Sequence, residues 1–197
     1  PPAFIPAAGA CQGSLRTFIP NIANTLFAPE HPAYSTDPSS AFFQSANEIY
    51  QRGLQLTADD IRLVNSWRDF TPNYNQPSHT LKLVTDIFAA HQLNLEDASV
   101  LYAKLNMAMF DAIVAASKAK FHYSLLRPIT YIRNSMGYPA WNPTILAPPL
   151  PSYVGFQGLQ ASAVTILEKY FGTSFAVIDS TQNSFHGSWT YSSLNGW

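Results

Sequence analysis

One stretch restricts the fold more than any other. Leu101, Leu105, Ala108, Ala112 and Ala115 recur at steps of four and three. Such a stripe fits the 3.6-residue turn of a helix with one face against a core. Glu96 and Asp97 fall in its first turn, where acids meet the positive end of the helix dipole. The spacing predicts a helix to about Phe121, or as far as Leu126. Beyond that, Pro128 restricts the backbone of the residue before it.

Four further helices follow from weaker signals. Asp37-Pro38-Ser39 offers a start, and Phe42, Phe43, Ala46, Ile49 and Tyr50 keep helical spacing until Gly53. Thr57, with Asp59 and Asp60 behind it, opens a second that turns Ile61, Val64 and Trp67 inward. Phe70 to Pro77 reads as a loop, after which Ser78 or His79 begins a helix with Leu81, Val84, Phe88 and Ala89 on one face. The last spans roughly Gly158 to Tyr170, stopped by Gly172. No run alternates with period two, so no sheet is expected, and there is no internal repeat. Gly137 to Pro151 carries Pro139, Pro143, Pro148, Pro149 and Pro151, a structured loop. The expected class is all-α, a helical bundle with long Pro-rich loops.

Residues 1–38 are rich in Pro, Ala and Asn and read as an extended N-terminal arm, leaving 39–197 as the helical domain. The final Ser/Asn/Gly/aromatic stretch closes on no helix, so the domain is expected to be incomplete at its C-terminal end.

Charge then narrows the function. Only 12% of the residues are charged against 47% hydrophobic, where an average soluble protein has about 25% charged. Such a chain buries much of itself or faces a partner. A net charge of -1 gives no basic footprint for nucleic acid. The longest apolar candidate for a membrane span, around Leu105 to Ala116, is interrupted by Asn106 and Asp111. The one cysteine, Cys11, excludes an internal disulfide framework. The Pro-Pro start is unlike a cytosolic initiation site, and export to a periplasmic or extracellular location is expected from it.

The charges that do occur are unevenly placed. Between Asp111 and Glu168 there is no Asp or Glu, yet Lys118, Lys120, Arg127 and Arg133 lie there. Cations without acids nearby suit an anion from elsewhere. If the helix continues, Lys120 and Arg127 stand two turns apart on nearly one face. A planar Arg fork beside a Lys point charge matches a tetrahedral oxyanion such as phosphate or vanadate. The same cations also suit a solvated helix C-terminus, and spacing alone leaves both readings open. No histidine pair has metal-ligand spacing with a carboxylate beside it, so no zinc or iron site is expected. No Gly-x-Ser-x-Gly elbow supports a serine nucleophile.

Lys120-Phe121-His122-Tyr123-Ser124-Leu125-Leu126-Arg127-Pro128 resembles the Lys-x6-Arg-Pro signature of vanadium haloperoxidases, class A acid phosphatases and type 2 phosphatidic acid phosphatases. The resemblance runs over about residues 60–172, and it is nearest to the soluble bacterial haloperoxidase-like branch. Asn106 to Arg133 is similar to the signature helix of that branch. Trp141-Asn142-Pro143 and Pro148-Pro149-Leu150-Pro151-Ser152-Tyr153 resemble the Pro-rich approach to its second motif, and Ala161 to Gly172 the helix after it. Trp67-Arg68-Asp69 and Pro77-Ser78-His79 also fit.

The resemblance implies that Lys120 and Arg127 bind the oxyanion. The family's second motif, Pro-Ser-Gly-His, meets Tyr153-Val154-Gly155-Phe156-Gln157-Gly158 here. Gly155 matches its glycine and Gln157 offers a hydrogen bond to the anion. Phe156, at the place of the acid–base histidine, cannot donate or relay a proton. The third motif, Ser-Arg-x5-His, has no counterpart before Trp197. His186, in Ser184-Phe185-His186-Gly187, is the only histidine after the second motif, without the family's Arg before it. His122 matches a position behind the anion ligands. His79 is expected to cap or pack near a helix start, and His31 and His91 to lie at the surface.

Two functions follow as expectations. One is a haloperoxidase- or phosphatase-type enzyme, taking vanadate or phosphate and a small-molecule substrate, with homodimers common in the family. The other is a degenerate, non-catalytic homologue acting as a binding or assembly module.

Overall fold

A computed structural model describes residues 7–25, 28–68, 76–145, 147–156, 158–181, 187–193 and 196. Among them lie a 3-10 turn at Gln12–Ser14 and helices α1 (Ile22–Thr25), α2 (Ala41–Leu54), α3 (Ala58–Ser66), α4 (Gln76–Ala90), α5 (Leu95–Tyr123), α6 (Pro128–Ser135) and α7 (Gly158–Phe171). Strands β1 (Val177–Asp179) and β2 (Trp189–Tyr191) complete the order. The chain divides into two compact units, one of residues 1–64 and 114–155, the other of 65–113 and 156–197. The division falls inside α5.

The second unit holds the larger core. Leu83, Val84, Ile87 and Phe88 of α4 meet Leu101, Leu105 and Met109 of α5, Ala163 and Leu167 of α7, and Val177 of β1. The α5 stripe is therefore real but differently phased. Leu101 and Leu105 are buried as expected, and the buried face continues through Met109, Asp111, Val114, Ser117 and Lys120, whereas Ala108, Ala112 and Ala115 are only half-buried. Residue size decides this: a Leu or Met side chain reaches a neighbouring helix where Ala does not, so the long side chains set the buried face. On α4, Leu83 and Ile87 take the core and Ala89 is exposed, a correction to the face read from the sequence.

Helix α4 also starts earlier than expected, at Gln76, so Pro77 occupies its first turn, where the missing N–H costs nothing. The rest of the expected loop from Phe70 lies outside the described residues. Helix α7 ends at Gly172, whose φ of +88° suits a residue without a Cβ and whose N–H bonds Glu168 O at 2.8 Å.

The sheet was not expected. β1 and β2 pair antiparallel, with Val177 opposite Tyr191 and Asp179 opposite Trp189. Val177 and Asp179 are buried and Ile178 is exposed. At three residues per strand the alternation is too short to stand out from chance.

The first unit is built on α2 and α6. Ala46 packs with Tyr131 and Ile132, and Phe42, Phe43, Tyr50, Met136 and Trp141 close around them. Phe42 meets Tyr131 edge-on at 4.9 Å, and Tyr50 stacks on Tyr138 at 4.0 Å. Ser40, one residue later than the start signal, caps α2 by accepting the Phe43 N–H at 3.2 Å. At α3, Thr57 and Asp60 form a reciprocal cap: Asp60 N–H to Thr57 Oγ1 at 3.1 Å and Thr57 N–H to Asp60 Oδ2 at 2.9 Å. Ile61, expected inward, is exposed. Residues 28–37 carry no regular structure, and the Tyr123 and Tyr153 hydroxyls donate to Ala28 O and Pro29 O, each at 2.6 Å.

The segment Leu95–Ser135 also contains an 18-residue window with the length and apolarity (mean hydropathy 1.3) of a membrane-crossing helix. It breaks at Ser124, and Lys104 and Lys118 stand exposed on it, where a bilayer would reject them.

Candidate functional site

Helix α5 stops before Arg127. Ser124 turns to φ +47°, with its N–H bonded to Lys120 O at 2.8 Å. The backbone is then non-helical until Pro128 opens α6, with Arg127 extended (φ -68°, ψ 140°) as the N-cap. Lys120 and Arg127 therefore do not share one helix, and the two-turn spacing is not what unites them.

A loop unites them instead. Lys120 Nζ donates to Pro151 O at 3.0 Å and Ser152 O at 3.3 Å, and Arg127 Nε donates to Leu150 O at 2.6 Å. Ser152 N–H returns a bond to Leu125 O at 3.0 Å. Two cations thus fall on three consecutive carbonyls of the Pro-rich loop, all within one unit. The prolines explain the geometry: Pro148, Pro149 and Pro151 lack N–H groups and favour extended backbone, which leaves carbonyls open to side-chain donors.

The electrostatics are unfavourable for cations. Lys120 is only 2% exposed. Burial first, then the positive Arg127 beside it, pulls its ammonium down to about 8. Burial likewise pulls Arg127 below its ordinary value. Among the described residues Arg127 makes no ion pair. Carbonyl dipoles offset part of this cost, and an anion placed against both side chains would offset more.

The other two cations point elsewhere. Lys118 bonds Asn24 Oδ1, and Arg133 clamps a loop through Trp141 O at 2.7 Å and Asn142 Oδ1 at 2.5 Å. His122 is exposed with its ring edge-on to Tyr123 at 4.9 Å. Gly155 is exposed, and Phe156 is half-buried with its carbonyl accepting the Leu159 N–H at 2.9 Å at the start of α7. Gln157 and His186 lie outside the described residues. His31, expected at the surface, is half-buried between Tyr123 and Tyr153, with ring centroids 5.6 and 6.1 Å away. His91 is exposed, beside Phe171 and Phe175.

Sequence reasoning missed one feature entirely. In the other unit, His79 Nε2 meets Asp179 Oδ2 at 2.9 Å, with both side chains buried. Asp179 also accepts from the Thr181 N–H at 3.0 Å and hydroxyl at 2.6 Å. Burial raises its carboxyl, but the bonds from His79 and Thr181 outweigh burial and hold it below the ordinary aspartate range. Nothing in the spacing of two residues so far apart could have joined them.

Residues 100–193 match the family model described as the VCPO second helical-bundle domain. The segment includes Lys120, Arg127 and the loop they bind. Over that segment the chain is similar to the vanadium haloperoxidase-like superfamily. Its fold is similar to the crystal structure of the first bacterial vanadium-dependent iodoperoxidase. The TM-score is 0.91 at 21% identity, over 99% of this chain and 50% of that one. This chain thus spans about half the length of that structure. No curated protein matches it by sequence.

Proposed function

We propose that this chain is the oxyanion-holding helical part of a haloperoxidase-like protein, with Lys120 and Arg127 contacting vanadate or, in its place, phosphate. The observation that carries this reading is the convergence of both cations on the Leu150–Ser152 carbonyls, at a site that disfavours their charge. The fold alone would not decide it, since one scaffold hosts many chemistries.

The donor set fits the charge of an oxyanion. Lys120 supplies a buried point charge, and Arg127 keeps its two terminal nitrogens beyond the Nε bond to Leu150. Vanadate, when bound, supplies the chemistry that activates peroxide towards a halide. The protein's share is to bind, orient and neutralise the developing charge. The acid–base half fits less well: Phe156 carries no proton, and His122 is exposed.

That substitution favours a second reading, a homologue that keeps the anion but not the catalysis. Equilibrium dialysis with orthovanadate tests the shared step, with Arg127→Ala as control. Saturable binding lost in the variant supports the site, and no binding by either protein removes it. Halide oxidation by the vanadate-loaded chain then separates the two readings.

A further inference from the structure

We infer a second anion site, separate from Lys120 and Arg127, for a small organic molecule carrying a carboxylate or phosphate group on an apolar body. It is a cavity of about 390 Å³ where the segment 13–24 rests on α5, within the size range of small-molecule sites.

Its walls set the ligand's chemistry. Arg16 and Lys118 line it together with Ser14, Thr17, Asn21 and Asn24, and no Asp or Glu does among the described residues. Arg16 makes no ion pair among the described residues, and Lys118 is held by the neutral amide of Asn24, so no described acid compensates either charge. Two like charges on one concave wall focus a positive potential into it. Leu15, Pro20 and Ala23 supply the apolar side.

The cavity is a built feature and not a chance fold of a tail. Gly13 sits so close to α5 that a Cβ there would lie 2.6 Å from Lys118 Cα, which only glycine permits. Ser117 Oγ donates to Gln12 Oε1 at 3.2 Å, each one residue before this contact. Asn21 on the rim takes a left-handed φ of +63°, a conformation that short polar residues tolerate. Its carbonyl accepts the Asn24 N–H at 2.8 Å, which sets Asn24 under the Lys118 ammonium.

Calorimetric titration of the full chain tests the site with benzoate and phenylphosphonate, which carry the two oxyanion types on the same ring. Benzamide serves as the neutral, near-isosteric control. The expected result is saturable binding of at least one anion and none of benzamide. Arg16→Gln and Lys118→Gln each weaken it about tenfold, the scale of one hydrogen bond to a charged group. Both side chains are exposed, so an unchanged far-UV circular dichroism spectrum is expected of each variant. Arg127→Ala removes only binding at the Lys120 site and retains the component that the two Gln variants weaken. Equal binding of benzamide, indifference to both Gln variants, loss of that component in Arg127→Ala, or no saturable binding at all would overturn the inference.

Discussion

His79 and Asp179 are bonded at 2.9 Å in the interior of one unit, with 1% and 5% of their side chains exposed. The bond ties α4 to the end of β1, so a helix and a strand distant in sequence share a polar lock inside an apolar core. Trp67 packs against the imidazole with its ring tilted by 40°, at 5.5 Å between ring centroids.

Removing one partner takes this bond from the other, which stays buried. Asp179→Asn or His79→Ala should each cost roughly 3 kcal/mol, a fall in Tm of about 6–12 °C for a domain of this size. Thermal unfolding checks this, and a double variant no worse than either single one would confirm that the two act as a pair. The pH dependence has a fixed sign. The folded state holds the Asp179 carboxyl below its ordinary value, so its contribution is complete above about pH 4 and disappears as pH falls through the folded value. Asp179→Asn should flatten that acid limb.

Lys120 gives the opposite kind of test. Its folded-state value of about 8 means that the ammonium is present below that pH and lost above it. Sulfate is tetrahedral and doubly charged throughout the range, so any pH effect on its affinity comes from the protein. Sulfate should bind more weakly as pH rises from 7 to 9. Lys120→Arg should remove most of the change, because a guanidinium keeps its proton there.

The same shift predicts how stability varies in base. A lysine lowered on folding destabilises the native state wherever it must be charged. Stability contributed through this residue therefore rises between the folded value of about 8 and the unfolded value near 10.4. Lys120→Met should abolish that rise in urea midpoints measured across pH 7.5 to 10.

The phase of the α5 stripe can be tested by contrast. Leu105 is fully buried and Met107, two residues on, is exposed. Leu105→Ala should cost about 2–5 kcal/mol and Met107→Ala less than about 0.5 kcal/mol. Equal costs would contradict the assigned face.

Much of this molecule is legible in its residues, and what is not has identifiable causes. Helices α2, α5 and α7 carry apolar spacing, first-turn acids or terminal glycines, all local signals, and they form where those signals place them. The pairing of Lys120 with Arg127 was legible through resemblance, but the helical spacing offered for it does not apply, because Ser124 ends α5 four residues too soon. What brings them together is a loop some 25 residues further on, and loop carbonyls leave no mark in sequence. The His79–Asp179 bond and the short β1–β2 ribbon are hidden for the same reason. Each depends on tertiary contact between segments with no periodicity of their own.

The central claim is that Lys120 and Arg127 act on one oxyanion together. A double-mutant cycle on orthovanadate affinity, across the wild type, Lys120→Met, Arg127→Ala and the double variant, measures this directly. The account predicts binding by the wild type and a large loss in each single variant. It also predicts a double variant little worse than either, since removing one cation already empties the site. Losses that simply add, or affinity unchanged in both single variants, would contradict it.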